Sequence, residues 1–170
     1  MRSSFYFRWL ERTVIACLGV MVAITLASTL IRFLVPGMGG IYWAEEVTRY
    51  TSVWMVFLGA ALGVRYGVHL HVDLIVSRLP EALQLPLKLG TCLLMLAFEG
   101  VLVWFGAIVA HSNLDQQSSS LLLPMGYVYA AIPVGGILMI YETLRALVRS
   151  MRGLPLLEGG GIERADVALD

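Results

Sequence analysis

Residues 89–110 read LGTCLLMLAFEGVLVWFGAIVA, a run in which Glu99 is the only charged side chain. A helix of about 20 apolar residues crosses the hydrocarbon core of a bilayer, which is ~30 Å thick. This run therefore predicts a membrane-spanning helix. Of all 170 residues, 58% are hydrophobic and 14% are charged, whereas soluble domains carry roughly 25% charged residues. The composition excludes a disordered chain and argues against a soluble globule.

Three further segments are long and apolar enough to cross a membrane. No charge lies within residues 13–31 or within residues 121–141. Residues 50–64 are too few to span alone, but a helix that starts at residue 41 is long enough and carries charges in its first turns. Such charges belong at the interface, where long side chains reach water. The sequence predicts an all-α integral membrane protein with four transmembrane helices, at about 13–34, 41–66, 87–110 and 121–144.

The distribution of basic residues predicts the orientation of these helices. With the N-terminus in the cytoplasm, ten of the 12 Lys and Arg residues face inward and only Arg32 and Arg49 face outward. Both termini are therefore predicted to be cytoplasmic. The first apolar run is longer than the 7–15 residues of a signal-peptide core, so we interpret it as a retained anchor.

The segment between the second and third spans has amphipathic spacing. Arg65, His69 and Asp73 follow one another at four-residue steps and share one polar stripe. We expect a helix at about 69–80 to lie in the cytoplasmic interface. Pro80 and Pro86 are expected to interrupt the turn into the third span. These elements form one membrane domain, residues 1–150, followed by a cytoplasmic tail, residues 151–170.

Small residues predict where helices approach closely. Gly59, Gly63 and Gly67 recur at four-residue spacing, which lets two helix backbones pack tightly in lipid. The alternative is the general tolerance of glycine in membrane helices. We expect this stripe, together with Trp54, to pack against a partner. In the last span, Pro133 is expected to kink the helix.

Charged residues at the outer face have two interpretations. Glu45 and Glu46 precede Arg49 by four and three residues, as in a solvated ion pair on a helix surface. The other interpretation is a contact with a partner. The loop 111–120, HSNLDQQSSS, has Asp115 as its only formal charge. Glu45, Glu46, Arg49 and Asp115 are candidates for docking a partner at the outer face, although the two glutamates also suit a helix N-terminus.

Glu99 lies near the predicted midplane of the membrane. A carboxyl group is costly to bury there, and its presence indicates a function. It is a proton relay, an ion ligand or a protonated acid hydrogen-bonded to a neighbouring helix. We favour a structural or partner-facing role, because no other span offers an ionisable group at that depth. The chain shows no catalytic motif, no metal-ligand spacing and no basic patch for nucleic acid. We predict no cofactor and no enzymatic activity.

Residues 43–80, WAEEVTRYTSVWMVFLGAALGVRYGVHLHVDLIVSRLP, carry a family resemblance. They resemble the small membrane subunit (Q-type permease) of tripartite ATP-independent periplasmic (TRAP) transporters. Residues 121–139, LLLPMGYVYAAIPVGGILM, are similar through their prolines. The positions that carry the first match are Glu45, Arg49, Trp54, Phe57, Gly59, Ala60, Arg65, His69 and Asp73.

The resemblance implies a scaffold that binds a large, sodium-coupled membrane subunit in the inner membrane of a bacterium or archaeon. A periplasmic binding protein would deliver an organic anion, a carboxylate or a sugar acid. Two other classes stay open. One is a small proton-coupled exporter that works as a homodimer through Glu99. The other is a haem-bearing membrane anchor, which is disfavoured because His69 and His71 point to different helix faces.

Overall fold

The computed structural model describes residues 5–34, 41–66 and 81–151, and within these ranges the regular structure is helical. The helices are α1 (Phe5–Leu34), α2 (Tyr42–Tyr66), α3 (Glu81–Ser112), α4 (Met125–Tyr129) and α5 (Ala131–Met151). Four stretches are long and apolar enough to cross a membrane: Tyr6–Leu34, Tyr42–Tyr66, Leu89–Ser112 and Met125–Val148. The all-α, four-span prediction is confirmed. The expected interfacial helix at 69–80 lies outside the described residues, as does nearly all of the tail.

Two helices begin earlier than the hydropathy pattern predicts. α1 starts at Phe5 rather than near residue 13, because Phe7 and Leu10 in its first turns are buried against the other helices. α3 starts at Glu81 and contains Pro86, which we expected to interrupt the chain. Pro86 is the sixth residue of α3. It removes the intrahelical bond to the Ala82 carbonyl and its ring crowds that carbonyl, yet the helix continues through it.

The fourth span is built from two helices. The expected kink near Pro133 takes the form of an interruption at Ala130, between α4 and α5. The ring of Pro133 removes the N–H that would bond the Tyr129 carbonyl, so the helix is weakest one turn before the proline. The span begins at Met125, later than expected. Residues 121–124 instead belong to the preceding loop, where Leu122 has a positive φ of 52°.

α5 is the central helix and packs against both α2 and α3. Among the described helices, the backbone of α1 neighbours only α2. Two consecutive glycines allow this close packing. A Cβ at Gly135 would lie 2.6 Å from the Phe57 Cβ of α2, and one at Gly136 would lie 2.7 Å from the Val103 Cγ2 of α3. The core between α1, α2 and α5 includes Phe7, Leu10, Leu58, Ala61, Leu62, Val64 and Met139.

Candidate functional site

A buried acid on α3 is bonded to the last helix. Glu99 is only 2% exposed, and so is Thr143 of α5. The Thr143 hydroxyl donates a hydrogen bond to Glu99 Oε1 at 2.7 Å. Among the described residues, no hydrogen-bond donor reaches the second oxygen, Oε2. Glu99 therefore faces the interior of its own bundle, as a buried acid that joins α3 to α5.

A second buried acid lies next to Thr143 in sequence and joins α5 to α2. Glu142 Oε1 is 3.8 Å from Arg65 Nη1 and 3.7 Å from Arg145 Nη1. The side chains of Arg65 and Glu142 are 8% and 5% exposed. The Arg65 guanidinium also stacks over the ring of Phe7, 3.7 Å from its centroid. A cation above an aromatic face is stabilised by the ring quadrupole, so α1 joins this cluster as well.

These contacts form one polar layer, the residues Arg65, Glu99, Glu142, Thr143 and Arg145. Consecutive residues on a helix are about 100° apart around its axis, so Glu142 and Thr143 reach different neighbours, α2 and α3. The layer therefore links α2, α3 and α5, with Phe7 of α1 covering one side. Breaking such a buried pair leaves an uncompensated charge, which makes its partners costly to replace.

The structure places Arg65 differently from the interfacial stripe that we expected. Its side chain points between α1, α2 and α5 and is nearly inaccessible. The reason is the acid at Glu142, which supplies a carboxylate inside the bundle. The other members of the stripe, His69 and Asp73, lie outside the described residues.

Sequence reasoning missed Glu142 and Thr143. Thr143 is not ionisable, so the pattern of charged residues gave no reason to pair it with Glu99. Glu142 stands just beyond an apolar run, with Arg145 three residues later. That spacing was a signal for an ion pair, but it could not show that Arg65 completes it.

At the predicted outer end, Glu46 holds the 113–124 loop. Its carboxylate oxygens accept the N–H groups of Ser120 at 2.9 Å and Leu121 at 3.1 Å. The loop is also bonded internally, since the N–H of Ser118 donates to the carbonyl of Leu123 at 2.9 Å. Glu46 therefore fastens α2 to this loop, a role that the sequence did not suggest.

The other outer-face candidates are exposed. Glu45, Arg49 and Asp115 all lie at the surface. The expected ion pair between Glu45 or Glu46 and Arg49 is not formed among the described residues, because Glu46 turns toward the loop instead. Glu45, Arg49 and Asp115 remain candidates for an external contact.

The glycine stripe of α2 has open space at Gly59, on the side of the helix that faces away from the bundle. A Cβ at Gly59 would meet no atom within 4 Å, so Gly59 does not pack against α1, α3 or α5. Gly63 is partly exposed, and Gly67 lies outside the described residues. Trp54, which we grouped with the stripe, packs partly against the bundle's own core. The close internal approaches use Gly135 and Gly136 instead.

Within the ranges that the structure describes, no group of three His, Cys, Asp or Glu side chains could hold a metal ion. His69 and His71, the histidines of the haem alternative, lie outside those ranges. The buried polar groups of the layer fasten the helices of the chain to one another. Fold and site thus define a multi-pass membrane protein whose buried charges are used for its own assembly.

Residues 21–153 match the family described as "Tripartite ATP-independent periplasmic transporters, DctQ component". The chain belongs to this family, and the predicted resemblance is confirmed.

Similar proteins from three bacteria carry the same designation of small permease. A putative TRAP transporter small permease of Haemophilus influenzae is 31% identical over 154 residues, which cover 89% of this chain and 94% of that protein. The C4-dicarboxylate small permease DctQ of Rhodobacter capsulatus is 38% identical over 108 residues, 61% of this chain and 46% of that protein. The sialic acid small permease SiaQ of Vibrio cholerae is 24% identical over 110 residues, which cover 65% of this chain and 64% of that protein.

The chain thus spans under two thirds of the Rhodobacter and Vibrio proteins but nearly all of the Haemophilus protein. These relatives are transporter permease subunits and not enzymes, in agreement with the prediction from the sequence.

Proposed function

We propose that this chain scaffolds the large, sodium-coupled membrane subunit of a TRAP transporter in the inner membrane of a bacterium or archaeon. The transporter takes up an organic anion, a carboxylate or a sugar acid, delivered by a periplasmic binding protein. Both termini lie in the cytoplasm, as the ten-to-two bias of Lys and Arg indicates. The observation that carries the proposal is that the buried charged groups join the chain's own helices.

A larger partner is supported by one relative in particular. The isethionate TRAP transporter permease DctMQ of Oleidesulfovibrio alaskensis is 27% identical over 122 residues, which cover 71% of this chain but only 19% of that protein. The matched segment is therefore a small part of a much longer permease. In our proposal, the corresponding large part is a separate subunit that binds this chain.

The open stripe of α2 is the proposed contact with that subunit. A Cβ at Gly59 would meet no atom within 4 Å, so this position offers a surface that another helix can approach closely. Gly59→Leu should weaken co-purification with the large subunit, while Gly59→Ala serves as a smaller matched change. A Gly59→Leu variant that is stable on its own and assembles like wild type would remove this face from the interface.

The outer surface is the proposed docking site of the binding protein. Glu45 and Asp115 are exposed there, and charges at the rim of an interface mainly change association rates and salt dependence. Asp115→Lys should raise the binding-protein concentration needed for half-maximal uptake, more strongly at low salt. Unchanged curves at two ionic strengths would leave docking to the large subunit.

The interfacial stripe is a further part of the proposal. His69 and Asp73 are proposed to anchor the segment after α2 at the lipid headgroups or the large subunit. Asp73→Ala should lower complex yield without changing substrate preference.

The whole proposal is tested in proteoliposomes that contain the large subunit and the binding protein encoded by neighbouring genes. Uptake should require an inward sodium gradient and should be lost when this chain is omitted. The exporter alternative is tested in the same vesicles with Glu99→Gln, which keeps an acceptor for Thr143 but cannot carry a proton. Full sodium-driven uptake by that variant supports the scaffold. Proton-coupled export by this chain alone would overturn it.

A further inference from the structure

An open cavity of about 770 Å³ lies between the second half of α1 and the first half of α2. It combines basic, hydroxyl and apolar side chains in one groove. The lining residues used below are Met21, Ser28, Arg32, Phe33, Glu45 and Arg49. The polar layer described above lies at the opposite end of α2, so the groove is a separate feature.

The charged side chains of this groove have a net charge of +1, from Arg32 and Arg49 against Glu45. No ion pair engages any of these three side chains in the part of the chain that the structure describes. The hydroxyl of Ser28 likewise makes no hydrogen bond to a described residue. The groove thus presents two guanidinium groups and a hydroxyl donor toward an occupant.

The position of Arg49 requires an explanation. It lies seven residues into α2, about 10 Å along the helix axis, within a stretch apolar enough to span a membrane. Basic residues in such segments are normally paired or face a polar cavity. Arg32 suits the negative end of the α1 dipole, but Arg49 is closer to the N-terminus of its own helix.

We propose that this groove binds an anionic phospholipid. The phosphate would lie between Arg32 and Arg49, because guanidinium groups bind phosphate oxygens through paired, charge-assisted hydrogen bonds. Ser28 would donate a further hydrogen bond to the headgroup. Met21 and Phe33 supply apolar surface for an acyl chain, and Phe33 is 81% exposed. The net positive charge of the groove favours a headgroup with net negative charge over a zwitterionic one.

Native mass spectrometry of the full chain, titrated with phosphatidylglycerol or phosphatidylcholine, tests this proposal. Wild type should bind phosphatidylglycerol at least about fivefold more tightly, the factor expected from one net charge near an anionic lipid. Arg32→Gln with Arg49→Gln should weaken phosphatidylglycerol binding by about thirtyfold, because each basic side chain contributes about fivefold. Ser28→Phe keeps both arginines but fills the groove, and it should weaken binding as well.

Arg12→Gln is the matched control, since Arg12 is an exposed arginine near the other end of α1. It should bind both lipids like wild type, and all variants should keep the wild-type melting temperature. Equal binding of the two lipids, or unchanged binding by the double variant, would overturn the proposal. The proposal would also be overturned if the double variant lost the large subunit in bilayers of pure phosphatidylcholine. In that case the two arginines would bind an acidic protein segment rather than a lipid.

Discussion

Arg65 of α2 and Glu142 of α5 face each other inside the bundle, with 3.8 Å between Nη1 and Oε1. Fewer than a tenth of either side chain is exposed. The ring of Phe7 covers the guanidinium from the α1 side. The ion pair thus holds two parallel helices at one relative depth, and the aromatic contact brings in a third.

Removing the acid of this pair should destabilise the chain. Glu142→Gln leaves the Arg65 charge buried without its carboxylate, so we expect a loss of about 3–5 kcal/mol in the free energy of unfolding. Thermal melting in detergent measures it. Arg145→Gln is the control, because Arg145 contacts the same oxygen but is 37% exposed, and exposed pairs contribute about 1 kcal/mol or less. Equal melting temperatures for the two variants would contradict a structural role for the buried pair.

The hydroxyl of Thr143 should stabilise the helix bundle. Thr143→Val keeps the volume but removes the donor to Glu99 Oε1, and a buried acceptor left without its partner costs about 1–3 kcal/mol. Thr91→Val is a suitable control, since the Thr91 hydroxyl bonds only the Leu87 carbonyl of its own helix. The same melting assay separates them. If both variants melt like wild type, the Glu99–Thr143 bond does not stabilise the bundle.

Glycine at position 135 should be required for the packing of α5 on α2. In Gly135→Ala the new methyl group would lie 2.6 Å from Phe57 Cβ and 3.0 Å from the Phe57 carbonyl oxygen. Backbone atoms cannot rotate away, so the helices must separate, at a cost of about 1–3 kcal/mol. Gly59→Ala introduces the same methyl group into open space and should leave the melting temperature unchanged. A Gly135→Ala variant as stable as Gly59→Ala would show that the two helices can separate without cost.

The carboxylate of Glu46 should protect the loop before α4. Glu46→Ala removes the acceptor of the Ser120 and Leu121 amides, so hydrogen exchange at these two amides should accelerate. Exchange at the Ser118 amide should change less, because its partner is the Leu123 carbonyl within the loop. Glu45→Ala, which removes an exposed neighbouring acid, should leave all three amides as in wild type. Unchanged exchange at Ser120 in Glu46→Ala would show that the loop keeps its conformation without α2.

The residues of the α2–α5 contact show where prediction from the sequence ends. The four spans follow from local apolarity, because each helix forms its backbone hydrogen bonds within itself in lipid, whatever its neighbours are. The sequence places Gly135 in the last span, yet it could not identify Phe57 as its neighbour. The sequence predicts Arg65 in the interfacial polar stripe, because a four-residue spacing does not distinguish a helix face that meets the membrane interface from one that meets other helices.

By itself, the amino-acid sequence determined that the chain is helical, that it has four apolar spans and that it resembles the TRAP small subunits. These properties depend on runs of about 20 residues and on residues close together along the chain. Only the tertiary structure decided that Thr143 binds Glu99, that Glu142 binds Arg65 and that Glu46 holds the 113–124 loop. Such pairs join residues at least 44 positions apart, and they depend on the rotation and relative depth of packed helices. Those two quantities are set by interlocking side chains and glycine contacts between helices, which no single segment contains.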